Sequence, residues 1–374
     1  MTLKDYVTLG RSGLRVSPLC LGTMTFGTEW GWGSDEGGAR AIFDRYIEAG
    51  GNFIDTADGY TNGKSEEMLG RFLGEHGRRD RLVIATKFTM NTDPGHPNAG
   101  GNGRKNTYRA LEGSLRRLNT DYIDLYWLHA WDTVTPVEEV VSTLNDLVCE
   151  GKIRYYGFSD TPAWYLARAQ TLAEKESKER MIALQLEYSL LERNIEREHI
   201  PAAQELGIGI CPWSPLAGGL LTGKYRRAAG DASGPIGEGR IEKTKGSPFL
   251  KPLNERTWHI HDTLVDVAAQ IDRTAAQVAL NWVATQPGVT STILGATKLA
   301  QLDDNLAALD FTIPAGLRAS LDDVSAIEPV HPYVFFGPPI QTLTSGGVSI
   351  QAWAPARVTG GPVAPPASVQ SGDK

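Results

Sequence analysis

The sequence predicts a (β/α)8 barrel, a closed ring of eight parallel strands with helices outside. Three observations carry that expectation. Short apolar runs alternate with amphipathic stretches of helical period, there are eight such runs, and 374 residues lie within the roughly 200 to 400 that such barrels occupy as one domain. The runs are Leu19–Leu21, Phe53–Ile54, Leu82–Ala85, Ile123–Leu128, Tyr155–Phe158, Ala183–Leu186, Ile208–Cys211 and Thr292–Leu294. Most are short and bordered by turn residues, as strands buried on both faces should be.

Helices fill the intervals. Ser34 is expected to cap Asp35–Ala49, where Ala39, Ile42, Phe43, Tyr46 and Ile47 fall at three- and four-residue spacing. Ser65 is read as the cap of a helix through Leu73, and Tyr108–Leu118 aligns Leu111, Leu115 and Leu118. Pro136 opens Val137–Cys149 and Gly151 ends it. Pro162–Ala173, Glu196–Leu206, Glu255–Ile271, Thr274–Thr285 and Ala300–Leu309 complete the set. The barrel is expected over residues 1–330, followed by a proline-rich tail, 331–374, whose last fifteen or so residues should be disordered. Tyr333, Phe335, Phe336 and Trp353 make the earlier tail apolar enough to pack, over the barrel mouth or on its outside. A long interruption between Pro212 and Asn254, on the βα face, reads as a functional or a disordered loop, and Asn91–Asn106, rich in glycine and proline, as an adaptable flap.

Composition narrows the function. With 41% apolar and 22% charged residues the chain is globular, and a net charge of −7 argues against nucleic acid, whose phosphates demand clustered lysine and arginine. No apolar run reaches the ~18 residues of a membrane span. Met1–Gly10 has no signal-peptide pattern, so a cytoplasmic location is expected. Cys20, Cys149 and Cys211 are too scattered for a disulfide framework or a zinc site. His259 and His261, two apart on a helix, point to different faces, and no metal site is expected.

Barrel enzymes build their sites at the carboxyl ends of the strands. There this chain places Asp55 and Tyr60 after the second run, Lys87 after the third and His129 after the fourth. A phenol with a pKa near 10 is a poor acid unless its anion is stabilised. Lys87 beside it would lower that value, and Asp55 would hold the lysine charged. His129 could orient a carbonyl oxygen. Protonating a carbonyl is useful only if a nucleophile reaches its carbon, and with no covalent nucleophile motif present a bound hydride donor is the natural candidate.

The motifs Gly51-Asn52-Phe53-Ile54-Asp55-Thr56-Ala57-Asp58-Gly59-Tyr60, Thr86-Lys87, Asp121 to His129, Gly157-Phe158-Ser159-Asp160, Gln185 to Leu190, Trp213 to Lys224 and Gly295-Ala296-Thr297 follow in order, each at its own strand end. In these the chain resembles the aldo-keto reductases, over about residues 3–325. The resemblance implies a catalytic tetrad of Asp55, Tyr60, Lys87 and His129, with Tyr60 as general acid. It also implies NADPH bound across the barrel mouth without a Rossmann domain; NADH use is possible. Gly31-Trp32-Gly33 indeed fails the dinucleotide fingerprint.

Carried over residue by residue, Thr23, Met24, Asp55, Ser159, Gln185 and Trp213 match the nicotinamide end. Ser214, Leu216, Gly218 and Lys224 match the pyrophosphate loop, and Gly295, Thr297, Lys298, Gln301 and Asn305 the adenosine end. Two positions depart from the family pattern. Asp160 stands where asparagine is common, and Thr297 where many NADP-specific relatives carry arginine, leaving Lys298 to meet a 2′-phosphate. Trp30, Trp32, Phe88 and Trp131 are read as an aromatic substrate wall suited to a bulky carbonyl compound. The leading expectation is an NADPH-dependent oxidoreductase that reduces an aldehyde or ketone reversibly. The alternatives are an NADPH-binding accessory or sensor protein and, on fold alone, a Schiff-base barrel enzyme.

Overall fold

A computed structural model describes residues 1–74, 79–228, 231–236 and 253–350. The eight barrel strands are β1 (Leu19–Gly22), β2 (Phe53–Asp55), β3 (Val83–Phe88), β4 (Ile123–Leu128), β5 (Ile153–Ser159), β6 (Ala183–Gln185), β7 (Gly209–Ile210) and β8 (Thr292–Leu294). They pair in parallel in sequence order, and β8 returns to β1. The ring closes where Thr290 N–H donates to the Ile210 carbonyl and Ile293 N–H to that of Pro212, each at 2.8 Å. All eight expected runs became strands, with ends shifted by a few residues.

Strand parity divides the core in two. Cys20, Phe53, Val83, Ala85, Leu125, Trp127, Ala183, Cys211 and Ile293 point into the barrel. Their alternates, such as Ile54, Ile84, Tyr126 and Leu184, pack outward against the helices. A Cβ on Gly157 would lie 2.4 Å from the Trp127 ring, so glycine there makes room for the largest interior side chain. Leu9 and Val16, from a hairpin pairing Val7–Thr8 with Arg15–Val16, join the inner cluster.

Among the described residues, the helices of Met1–Ile327 are α1 (Glu36–Glu48), α2 (Lys64–Leu73), α3 (Arg104–Leu118), α4 (Val137–Cys149), α5 (Ala163–Lys175), α6 (His199–Leu206), α7 (Glu255–Gln270), α8 (Ala275–Ala284), α9 (Leu299–Leu306) and α10 (Ala315–Val324). Pro136 and Pro162 precede α4 and α5 as expected, and Thr274 forms a full capping box with Gln277 on α8. Two caps differ. Asp35, not Ser34, accepts from Gly38 N–H at the start of α1. Ser65 lies inside α2 and is buried, its hydroxyl bonded to those of Thr23 and Thr56. A serine that can reach tertiary partners has no need of the helix end. Helix α10 was not foreseen.

The expected flap is knitted in: Asn102 accepts from the Thr89 hydroxyl at 2.6 Å, and its own N–H donates to Asp132 at 2.8 Å. Contacts divide the chain into Met1–Ile327 and Glu328–Lys374. The second unit contains a short turn, Tyr333–Phe336, and a helix α11 (Pro338–Ser345) ended by Gly346. Trp353 and the final residues expected to be disordered lie outside the described residues, as does most of the Pro212–Asn254 loop beyond 236. Among the described residues no helix is long and apolar enough to cross a membrane.

Candidate active site

Inward parity and strand ends together bring the four chemistry-bearing residues to one rim. Asp55 ends β2 on the parity of Phe53, Lys87 continues Val83 and Ala85, and His129 follows Leu125 and Trp127. Lys87 is wholly buried and Asp55 nearly so. The ammonium donates to Asp55 Oδ1, to the Thr56 carbonyl at 2.8 Å and to the Tyr60 hydroxyl at 3.1 Å. Its three protons are thus directed at three oxygens. Gln185 donates to Asp55 Oδ2 at 3.0 Å and fixes the carboxylate from across the barrel.

These contacts set the charges. Burial works against the Lys87 cation, but Asp55 and Tyr60 outweigh it and hold the ammonium above its ordinary range. Burial raises the Asp55 carboxyl against the pull of Lys87. The expected net lowering of the Tyr60 pKa is not found. Burial is the largest influence and raises it; Lys87 pulls it down, and Asp55 and Asp160 oppose that pull. Tyr60 is therefore a neutral, protonated phenol beside a cation that favours its anion. Burial and then Lys87 drive His129 down to about 3, so its imidazole is neutral. Its ring meets that of Tyr60 edge-on, with centroids 5.9 Å apart, and its buried Nδ1 has no hydrogen-bond partner among the described residues.

Around this centre the other expected residues fall into groups. Ser159 is buried at the end of β5, its hydroxyl 3.4 Å from Asp160 Oδ2. Asp160 Oδ1 accepts from the Trp213 indole N–H at 3.1 Å, so the unexpected carboxylate tethers the ring. Desolvation by its neighbours raises the Asp160 carboxyl to about 6, with Trp213 opposing and Glu187 adding, while the residue keeps exposed surface at the rim. Thr23 is wholly buried and turned toward α2, its hydroxyl bonded to Ser65 and to the Asp55 carbonyl, while Met24 is half-buried. On the eighth-strand side Gln301 accepts from both the N–H and the hydroxyl of Thr297, Asn305 is buried, and Gly295 and Lys298 are exposed.

The rim also carries a candidate anion cradle. In the turn after β7, Ser214, Ala217, Gly218, Gly219 and Gly223 all have positive φ, and Leu216 lies among them. A Cβ on Gly219 would sit 3.5 Å from Lys224 Nζ, so an ammonium stands over a glycine turn. Burial lowers the Lys224 pKa, and among the described residues no carboxylate pairs with it. Such a turn with a partly desolvated cation above it suits an anion. Among the described residues no cluster of His, Cys, Asp and Glu could hold a metal.

The aromatic wall is corrected at one place. Trp30 and Trp32 lie 5.7 Å apart, and Trp30 meets Tyr60 edge-on at 6.3 Å; Trp131 packs against Trp164 and Tyr165. Phe88 is instead wholly buried and stacks on Tyr126 outside the strands. Adjacent strand residues face opposite ways, so Lys87 and Phe88 cannot both point inward; parity held the signal for this. Trp164, half-exposed beside Trp131, was missed because it sits at the start of α5, where helical period reads it as surface.

Comparison with known proteins identifies the family. The Aldo/keto reductase family model matches residues 18–326. An uncharacterized oxidoreductase of Bacillus subtilis (strain 168) is 38% identical over 333 residues, covering 86% of this chain and 95% of the relative. A probable voltage-gated potassium channel subunit beta of Oryza sativa subsp. japonica is 36% identical, covering 86% and 96%. An aryl-alcohol dehydrogenase [NADP(+)] of Phanerodontia chrysosporium is 32% identical, covering 87% and 86%. A barrel with Asp, Tyr, Lys and His gathered on its carboxyl rim, matched over this length, belongs to the aldo/keto reductase family of oxidoreductases.

Proposed function

We propose that this protein reduces an aromatic or bulky apolar aldehyde or ketone to the alcohol with NADPH, reversibly, and that Tyr60 is the proton donor. The observation that carries this reading is the Lys87 ammonium, bonded at once to Asp55 and to the Tyr60 hydroxyl. Ser159, Gln185 and Trp213 would hold the nicotinamide end, the turn from Ser214 to Gly218 with Lys224 the pyrophosphate, and Gly295, Thr297, Lys298, Gln301 and Asn305 the adenosine. When bound, the cofactor supplies a hydride for the carbonyl carbon.

The protein's part is the oxygen. Neutral His129 offers an N–H that orients the carbonyl without competing as an acid. The Tyr60 phenol stays protonated through neutral pH, and as it gives its proton to the oxygen the buried Lys87 stabilises the forming phenolate. Trp30 meets the Tyr60 ring edge-on and packs with Trp32; together with Trp131 they would give the approach an apolar surface that favours aryl groups. The name of the fungal relative, an NADP(+) aryl-alcohol dehydrogenase, points the same way.

The channel-subunit relative supports a second reading, an accessory protein that keeps its cofactor and turns over little. A panel of aromatic and aliphatic aldehydes, read by loss of reduced nicotinamide absorbance, separates the two. Turnover with aryl aldehydes is expected. Tight NADPH binding without turnover of any carbonyl would favour the accessory role, and no NADPH binding would sink both.

A further inference from the structure

Behind the tyrosine lies a second buried cluster of charges that the proposed chemistry does not use. Glu66, on α2, has no exposed surface. Its Oε1 accepts from the Thr86 hydroxyl at 2.5 Å and its Oε2 from Arg117 Nε, on α3, at 2.7 Å. Thr86 is the chain neighbour of Lys87 on β3. The Arg117 stem runs under Gly63, where an added Cβ would meet Arg117 Cδ at 3.1 Å.

Gly63 closes the turn Tyr60–Gly63 that presents the phenol, with φ of +89°. Within that turn Thr61 and Asn62 also have positive φ, 46° and 57°. Two consecutive non-glycine residues in the left-handed region persist only where their surroundings over-determine them. One anchor is visible in the Thr61 hydroxyl, which donates to the Phe26 carbonyl at 2.7 Å. The same hydroxyl accepts from Ser65 N–H at 3.1 Å, and the Arg117 stem lies against the end of the turn at Gly63. Asp58, two residues before Tyr60, completes the cluster: its N–H donates to the Lys87 carbonyl at 3.2 Å, and its buried Oδ1 has no partner among the described residues. Burial, with Glu66 adding and Arg117 opposing, pushes its carboxyl up to about 7.

We propose that Arg117 and Glu66 are positioning residues that set the Tyr60 hydroxyl against the Lys87 ammonium. The ion pair ties the strand bearing the lysine, through Thr86, to the turn bearing the tyrosine, through Gly63. The inference rests on the reading of Tyr60 as proton donor. A merely structural pair would stabilise α2 against α3 and leave turnover per folded molecule alone.

The test is Arg117→Met, which keeps the stem and removes the charge, with Arg117→Lys as the conservative control. For Arg117→Met, kcat should fall about 10- to 100-fold while KM for NADPH stays within about twofold, since misplacing a reacting group by about an ångström costs that order of rate. Arg117→Lys should recover most of the loss. In a crystal structure of Arg117→Met the Tyr60 hydroxyl should leave hydrogen-bond distance of Lys87. Wild-type kcat, or an unchanged 3.1 Å contact, overturns the proposal. If Arg117→Met does not fold, Thr86→Val cuts only the strand end of the link; a severalfold fall in kcat is expected, and an unchanged kcat overturns the idea. If the wild-type chain reduces no carbonyl, the proposed function has failed, while the crystallographic distance still judges the strut.

Discussion

Two ion pairs, one buried and one partly buried, flank the turn that carries Tyr60, and they are built differently. Lys87 and Asp55 come from inward positions of the barrel wall, with side chains 0% and 3% exposed. Arg117 and Glu66 come from the helical layer, with side chains 29% and 0% exposed. The first cation directs a proton at a phenol on the rim. The second directs its Nε–H at a carboxylate that also holds a strand residue. Similar charges therefore do different work: inside the mouth the pair polarises, and outside the strands it holds.

Breaking the inner pair should have the largest effect. Lys87→Met leaves the Asp55 carboxylate buried without its cation, which costs about 3–5 kcal/mol. Thermal unfolding should register that loss, and turnover of an aryl aldehyde by the folded fraction should fall about 1,000-fold. The Arg117 variants come next, with losses in kcat alone.

The outer cluster also carries a pH signature. The Asp58 carboxyl sits at about 7 in the folded protein, against about 4 in an unfolded chain, so the folded state binds the extra proton between those values. Its contribution to stability is complete below pH 4 and is lost as pH rises through 7. Asp58→Asn should flatten that decline. The gap between the unfolding free energies at pH 5 and pH 8 should shrink by on the order of 2 kcal/mol, measured by denaturant titration. An unchanged gap would show that Asp58 does not titrate there. The smallest effect expected is at the far end of the cleft. Lys298→Ala should weaken NADPH about tenfold and NADH hardly at all, by fluorescence titration, because a point charge meets only the 2′-phosphate.

The legibility of the sequence follows the same division. Strands buried on both faces read as short apolar runs, so all eight were placed, and parity then carried Asp55, Lys87 and His129 to one rim. Parity also shows why Phe88 could not join them. Ser65 looked like a helix cap because its partners, Thr23 and Thr56, are distant along the chain. Glu66 and Arg117 escaped notice for a related reason: on α2 and α3 they read as charged helix faces, and only the tertiary fold pairs them and lays the Arg117 stem beneath Gly63. The direction of the Tyr60 shift could not be foreseen, because it depends on how far burial outweighs one neighbouring cation.

The most direct measurement is single-turnover reduction of an aromatic aldehyde by the Tyr60→Phe variant, alongside its NADPH affinity. Removing one hydroxyl should abolish hydride transfer to within background while the dissociation constant stays within about twofold of the wild type, since the proposed proton donor is not among the residues proposed to hold the cofactor. Turnover at the wild-type rate in that variant would contradict the account.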